Sequence, residues 1–257
     1  MESPKPKVSV LMPVWNEEEH IAEAIESIIN QTFKNWELII IDDISEDDTI
    51  NIARQYSKKD KRIRVVKLEN KGYRTGALNA GLKNARGKYI AFLDGDDLYL
   101  PKKLELQVDF IEKNFDVGVV YSDIETFGEI DKLIIGIDFK ENPLETLKEL
   151  SIKDKKELTK RSIGKLMDEK EGKYIPGATA MIRKSIIGKN RFDENLQTIQ
   201  DYDFWFQLIG KGVIFKRVPL KSYKYRVHSG QISKNRKRGE KSARYIIKKL
   251  RSGAYFK

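Results

Sequence analysis

Apolar and polar positions alternate along the first 120 residues in a strand-then-helix pattern. Apolar residues recur at helical spacing between short apolar runs, as in the helix predicted around Ile21 to Ile29. The runs are rich in β-branched residues and predict buried strands at 8–14, 36–41, 63–68, 89–93 and 117–121. Strands that alternate with helices predict an α/β fold with a mostly parallel central sheet and helices on both faces.

The second half of the chain is less regular. The segment at about 129–173 is charged and weakly periodic, and it predicts an insertion. Regular patterns return with an apolar stretch at 174–183, a helix at 201–210 and strands at 213–218 and 222–227. We therefore expect a single domain over 1–233, with residues 126–233 forming a smaller region beside the first half.

The net charge of +10 is concentrated at the C-terminal end. Residues 234–257 contain ten Lys or Arg and one acidic residue, Glu240, so the rest of the chain is nearly neutral. This distribution argues against a nucleic-acid-binding protein. Ile246, Ile247 and Leu250 lie at helical spacing among the cations and predict a basic amphipathic tail, which either lies on an anionic membrane surface or packs back onto the domain.

Composition also indicates the compartment. The chain has no cysteine, the segment from Met1 to Lys7 has no apolar core typical of a signal peptide, and no apolar run reaches membrane-spanning length. We expect a cytoplasmic protein that contacts the cytoplasmic face of the membrane peripherally if the tail binds there.

Three strand ends carry candidate binding chemistry, and ligands in such sheets bind beyond the carboxyl ends of the strands. Trp15 follows the first strand and could stack on a nucleobase. Asp43 follows the second, where a carboxylate can accept hydrogen bonds from uracil or guanine, although its neighbour Asp42 could simply cap the next helix. Asp94 and Asp96 follow the fourth and could hold Mg²⁺ or Mn²⁺ together with diphosphate oxygens.

Four segments in this order and spacing resemble glycosyltransferase family 2, whose members have the Rossmann-like GT-A fold. The resemblance covers about residues 7–125, the nucleotide-sugar-binding half, and about 174–228 on the acceptor side. The segments read PVWNE, IIIDDISEDDT, GYRTGALNAGLKNARGKYIAFLDGDDLYLP and QDYDFWFQL, at residues 13–17, 39–49, 72–101 and 200–208.

The resemblance implies a role for individual residues. It places Asp201 as the catalytic base, although the family's Glu-Asp pair reads Gln200-Asp201 here. It implies metal contacts from Asp96, Asp94 and His228. The implied nucleotide-sugar site comprises Pro13, Val14, Trp15, Asp43, Gly72, Arg74, Asp94 and Gly95.

The implied activity is an inverting, metal-assisted transfer of a sugar from a nucleotide-diphosphate sugar to a hydroxyl of a glycan or lipid-linked acceptor, as in polysaccharide and cell-envelope biosynthesis. A UDP-sugar is favoured, while Asp43 suits GDP as well. Two other enzyme classes are disfavoured: the loop after the first strand is acidic, unlike that of a nucleotidyltransferase, and no G-x-G-x-x-G opens the first helix, as a dehydrogenase requires. A non-catalytic nucleotide-sugar or glycan-binding module on the same fold remains the alternative.

Overall fold

The computed structural model describes residues 5–129, 175–229 and 236–256. Within them, eight strands form one sheet in the order β3-β2-β1-β4-β7-β6-β8-β5. The strands are β1 (Val8–Val14), β2 (Trp36–Asp42), β3 (Ile63–Lys67), β4 (Tyr89–Phe92), β5 (Leu98–Tyr99), β6 (Val117–Gly128), β7 (Met181–Arg183) and β8 (Ile214–Val227). The predicted α/β class with a mostly parallel sheet is confirmed.

The helices cover both faces of this sheet. They are α1 (Ile21–Ile29), α2 (Thr49–Lys59), α3 (Tyr73–Asn84), α4 (Lys103–Lys113), the short α5 (Lys184–Ile187), α6 (Gln200–Gly210) and α7 (Arg236–Arg251). One core contains α1, α2 and α4, and the other contains α3, α6 and α7. Every residue of β1 and β2 is buried because helices pack on both sides of these strands.

The second half of the chain extends the same sheet. Strand β7 runs antiparallel to both β4 and β6, while β8 runs parallel to β6. The structure has one strand where the sequence predicts two, because β8 continues through Pro219. Its register with β6 shifts between Tyr121 and Asp123, opposite this proline, so the missing N–H interrupts no regular ladder.

The C-terminal segment is part of the domain's core. Helix α7 is amphipathic as predicted, and Ile246, Ile247 and Leu250 are at most 2% exposed. Ile246 and Leu250 pack with residues of α3 and α6 in one hydrophobic cluster. This corrects the treatment of 234–257 as an appendage: the apolar face packs on the domain, and these side chains are not available to a lipid surface.

Two sequence predictions concern features beyond these elements. The predicted insertion at about 129–173 lies, apart from Glu129, outside the described residues. Within the ranges that the structure describes, no helix is both long enough and apolar enough to cross a bilayer.

Candidate active site

The parallel pairing brings three loops to one edge of the sheet. Strand β1 lies between β2 and β4, with Val14 opposite Asp42 and Leu11 opposite Phe92. The residues that follow these strands, including Trp15, Asp43 and Asp94, therefore lie at the same carboxyl edge, as the sequence predicts.

Backbone conformation marks the same edge. Four non-glycine residues in the described ranges have positive φ: Asn16, Ile44, Tyr73 and Ile199, at 49° to 61°. Each lies in a loop or helix start at this edge, within two residues of a predicted site residue. The left-handed region is unfavourable for a β-branched residue, and such strain is typical of functional loops.

Trp15 and Asp43 form one corner of the site. The Trp15 side chain is 42% exposed, and Lys71 Nζ lies 3.9 Å from its ring centroid. Asp43 is buried, and its Oδ1 accepts a 2.6 Å hydrogen bond from the Gly72 amide. Lys71 Nζ also lies 3.7 Å from Asp43 Oδ2. Lys71 thus links the two predicted base-binding residues, a role that the sequence analysis missed.

Asp42 takes no part in the contacts of this corner that are described above. Its carboxylate is buried and Oδ1 accepts a hydrogen bond from the Ser45 amide at 3.2 Å. This bond closes a turn in the loop after β2 and does not cap α2, which begins at Thr49 with Asp48 as its N-cap residue, so the capping role considered from the sequence is not found. Pro13 and Val14 form the buried end of β1.

The Asp94-to-Asp97 turn occupies the centre of the edge. Arg74 from α3 forms an ion pair with Asp94, with Nη2 2.7 Å from Oδ1. A β-carbon at Gly95 would come within 2.9 Å of Val14 Cγ1 and 3.1 Å of Glu17 Cγ, so only glycine lets the turn pack this close to β1 and the loop after it.

Asp97 fastens this turn to β8. It is 1% exposed, and it accepts hydrogen bonds from the Tyr223 hydroxyl at 2.6 Å and from the Arg226 amide at 2.7 Å. The end of β8 is thereby fixed beside the turn, and His228 Nε2 lies 3.1 Å from Asp96 Oδ2. His20 packs edge-on against His228, with ring centroids 5.2 Å apart.

The three residues predicted as metal ligands have different partners in this structure. Asp96 and His228 are together, but Asp94 is bound by Arg74. In the described part of the chain, no three His, Asp or Glu side chains are arranged to hold a metal ion.

Asp96 and His228 nonetheless suit a divalent cation that also binds diphosphate. The neighbouring carboxylates leave an excess of negative charge. Burial, with the charges of Asp96 and Asp94, raises the pKa of Glu17 to about 8. Burial also raises the pKa of Asp94 to about 6, where Arg74 opposes the rise and Asp96 and Asp201 add to it. Oxygen and imidazole ligands in such surroundings fit Mg²⁺ or Mn²⁺.

Asp201 reaches the site from the start of α6. Its Oδ2 accepts a 3.1 Å hydrogen bond from the Gly177 amide, and a β-carbon at Gly177 would lie 2.9 Å from the Asp201 β-carbon. Its charge contributes to the raised pKa of Asp94, so the start of α6 lies near the Asp94-to-Asp97 turn. The preceding Gln200 is 6% exposed, and within the described residues its Oε1 has no hydrogen-bond partner.

Several residues of the site carry no clear signal in the sequence. Gly177, Tyr223 and Arg226 act through tertiary contacts that no spacing indicates. Lys71 and Asp97 are adjacent in sequence to predicted residues, so they were the easiest of the missed residues to predict. The acidic loop after β1 contains Glu17, but only the packing against Gly95 shows that it faces the carboxylates.

Comparison with known proteins places this site in context. Residues 9–191 match the family model described as glycosyl transferase family 2. An uncharacterized glycosyltransferase of Methanocaldococcus jannaschii, MJ1057, is 36% identical over 228 residues, covering 88% of this chain and 72% of that protein. The putative teichuronic acid biosynthesis glycosyltransferase TuaG of Bacillus subtilis is 31% identical over 249 residues, covering 96% of this chain and 89% of that protein.

Solved structures share the fold. S. aureus TarS 1-349 in complex with UDP-GlcNAc has a TM-score of 0.65 at 22% identity, over 88% of this chain and 60% of TarS 1-349. The mannosyltransferase PcManGT from Pyrobaculum calidifontis, in complex with GDP-Man and Mn²⁺, has a TM-score of 0.68 at 16% identity, over 97% of this chain and 65% of that one. This chain therefore spans less than two thirds of either structure.

Proposed function

Because this chain belongs to glycosyltransferase family 2 and is therefore a glycosyltransferase, we propose that it transfers a sugar from a UDP-sugar to a hydroxyl group of a glycan or lipid-linked acceptor. The observation that carries this proposal is the approach of Asp201 to the Asp94-to-Asp97 turn. The UDP-GlcNAc bound by TarS and the description of TuaG support a UDP-sugar and a cell-envelope polysaccharide.

The side chains divide the reaction between donor and acceptor. Trp15 and Asp43 bind the nucleobase, by stacking and by hydrogen bonding. Arg74 lies beside the diphosphate and offsets part of its charge. Asp201 accepts the proton of the acceptor hydroxyl while that oxygen attacks the anomeric carbon. The bond from this carbon to the diphosphate breaks, the nucleoside diphosphate leaves, and the anomeric configuration inverts.

Asp96 and His228 would hold the divalent cation that this site fits. When bound, Mg²⁺ or Mn²⁺ supplies Lewis-acid stabilisation of the departing diphosphate. The Mn²⁺ in PcManGT supports this choice. Asp97 contributes indirectly, because its bonds to Tyr223 and Arg226 hold His228 beside Asp96.

Thermal unfolding with a panel of donors tests the proposal, since a ligand that binds only the native state raises its Tm. UDP-sugars with Mn²⁺ should raise the Tm, GDP-mannose should raise it less, and EDTA should abolish the effect. The stabilising donor is then incubated with glycan and lipid-linked acceptors. Transfer, or slow donor hydrolysis, supports the enzyme, whereas binding without either reaction supports the non-catalytic alternative for this site.

We also propose that the outer face of α7 contacts an anionic membrane on the cytoplasmic side. Its apolar face is buried, so the contact would be electrostatic. Each cation near such a surface contributes about 1 kcal/mol. The exposed cations are Lys237, Arg238, Lys241, Arg244, Lys248 and Arg251.

Charge variants test this contact better than truncation, because truncation would remove core residues. Lys241→Gln/Arg244→Gln/Lys248→Gln should reduce co-sedimentation with phosphatidylglycerol vesicles at low salt. The matched triple variant Lys58→Gln/Lys59→Gln/Lys61→Gln, on α2 and the loop after it, should not. Equal binding by all three proteins would exclude α7 as the contact.

A further inference from the structure

A second concentration of charge lies at the opposite edge of the sheet. A cavity of about 600 Å³ opens there, lined by residues that precede β1 and β4 and that follow β7. Because β7 runs antiparallel to β4, its last residue reaches the amino edge of the parallel strands. Strand β1 has seven residues, so this edge is roughly 20 Å from the candidate active site.

The lining of this cavity is strongly cationic. No acidic side chain is among the described residues that line it. Leu82, Gly87, Ser185, Ile187 and Gly188 form its uncharged part. Its six cations come from four separate segments of the chain: Lys5, Arg86, Lys88, Arg183, Lys184 and Arg191.

Backbone carbonyls position several of these cations without neutralising them. Arg183 Nε donates to the Val117 carbonyl at 2.7 Å, and Lys184 Nζ donates to the Ala85 carbonyl. Arg191 Nη1 donates to the carbonyls of its neighbours Gly188 and Asn190. A carbonyl accepts a hydrogen bond but carries no net charge, so the positive potential in the cavity is retained.

The nearby carboxylates are shared among more cations than they can balance. Glu37 contacts both Arg86 and Arg64, and Glu112 contacts both Lys88 and Lys7. Hydrogen bonds from Lys88, Tyr89 and Lys7 lower the pKa of Glu112 to about 2, as expected in a cationic environment.

We propose that this cavity is a second ligand site, which binds a multivalent phosphate group at the edge of the sheet opposite the donor site. The cations that line this concave space come from separate segments of the chain, and phosphate oxygens suit both lysine and arginine donors. Arg183 adds charge rather than donors, because its guanidinium donates to the carbonyls of Val117, Ile111 and Asn114 and to the Tyr89 hydroxyl. The N–H groups of Arg86 are likewise held by Glu37, which leaves the lysines and Arg191 as the main donors to a phosphate. The site is distinct from the diphosphate position proposed beside Arg74. The phosphate could belong to a lipid headgroup or to a soluble compound.

Titration calorimetry with sodium tripolyphosphate, in EDTA and at low salt, measures this site apart from metal-dependent donor binding. Lys184→Gln/Arg191→Gln should weaken binding by about tenfold, because charged hydrogen bonds contribute more than neutral ones. Lys5→Gln/Arg191→Gln, which spares the Lys184 bond to Ala85, should weaken it similarly and guards against a folding defect. Lys58→Gln/Lys61→Gln removes the same charge elsewhere and should change affinity less than about twofold.

Three results would overturn the proposal: no tripolyphosphate binding by the wild type, equal weakening by the cavity variants and the Lys58/Lys61 control, or equal weakening by Arg74→Gln, which would place the probe in the donor site. A second arm identifies the source of the phosphate, with the cavity variants made in the Lys241→Gln/Arg244→Gln/Lys248→Gln background, so that α7 does not hold the protein to the vesicles. If the cavity variants also lose co-sedimentation with phosphatidic acid vesicles, the ligand is a lipid headgroup. If they lose only tripolyphosphate binding, it is soluble.

Discussion

Asp201 and Asp203 lie two residues apart on α6 and have opposite environments. Asp201 is partly exposed, is held by the Gly177 amide and faces the carboxylates of the Asp94-to-Asp97 turn. Asp203 is fully buried. It accepts hydrogen bonds from Gln207 Nε2 at 2.7 Å, from Lys249 Nζ and from the Tyr255 hydroxyl.

The difference follows from helix geometry. With 3.6 residues per turn, positions two apart point about 200° from each other, so α6 presents one aspartate to the site and one to the C-terminal helix. Asp203 therefore cannot replace Asp201 as the base in this structure. Asp203 instead binds the C-terminal segment to the face of α6 opposite Asp201.

The largest expected effect concerns the exposed aspartate. Asp201→Asn keeps the shape of the side chain but cannot accept a proton. We expect kcat for transfer to fall roughly 10²–10⁴-fold, as for loss of a positioned base, with donor affinity changed only a few-fold. Steady-state kinetics and donor titration on the same preparation measure both. Near-normal kcat would move the base to another residue.

The buried aspartate should affect stability instead. Asp203→Ala leaves Lys249 and Tyr255 without their shared acceptor. Lys249 keeps its ion pair with Asp193, so the cost is that of unsatisfied buried donors, about 2 kcal/mol. Denaturant unfolding should show this loss, while the folded fraction keeps kcat within a few-fold. Asp109→Ala breaks an exposed ion pair with Lys113 and should cost less than about 0.5 kcal/mol. A stable but inactive Asp203→Ala protein would contradict the assignment of Asp203 to stability and Asp201 to catalysis.

Asp96 is predicted to act on donor binding rather than on proton transfer or stability. Asp96→Ala should weaken binding of UDP at least about tenfold in Mn²⁺, since even residues that support metal ligands typically contribute that much. In EDTA the variant and the wild type should bind alike. Titrations of both proteins in the two buffers measure this, and equal affinity in Mn²⁺ would remove Asp96 from the metal site.

Lys103 stabilises the turn at residues 177–179, which holds Asp201. It is fully buried, and it and Gln107 donate to the carbonyl of Thr179, in the turn that contains Gly177. Burial lowers the pKa of Lys103 to about 7. Below pH 7, Lys103 is protonated in both the folded and the unfolded state. Above pH 7, only the unfolded state keeps this proton, so the free energy of unfolding should rise with pH up to about pH 10.

Lys103→Met should remove this dependence. Relative to the variant, the free energy of unfolding of the wild type should increase by about 1 kcal/mol per pH unit between pH 7 and 9. Denaturant unfolding of both proteins at pH 7, 8 and 9 provides the check. Parallel curves would show that Lys103 stays charged when buried.

The smallest effect is expected at Trp15. Because 42% of its surface is exposed, Trp15→Ala should leave the Tm nearly unchanged. Loss of one stacking contact should weaken UDP binding only a few-fold, by about 1 kcal/mol. Trp36→Ala is the matched control, because Trp36 is 2% exposed and should lower the Tm sharply. A large Tm loss at Trp15 would assign it to the core.

The sequence by itself determined the α/β class and most of the first half of the sheet. Buried parallel strands read as continuous β-branched runs, and the loops after them must lie at one edge, so Trp15, Asp43 and Asp94 could be grouped without coordinates. The motif order also indicated the family and Asp201. These features are local in sequence, and their geometry follows from strand direction alone.

Only the tertiary structure decided what covers the apolar face of α7 and which charged residues pair. Periodicity shows that α7 is amphipathic, but whether Ile246 and Leu250 meet lipid or protein depends on a complementary surface on α3 and α6. Likewise, the ion pair between Asp94 and Arg74 forms because α3 packs against the sheet, which no local pattern indicates. Long-range ion pairs depend on distances between side chains remote in sequence, which no local pattern encodes, and burial then sets how strongly each charge acts.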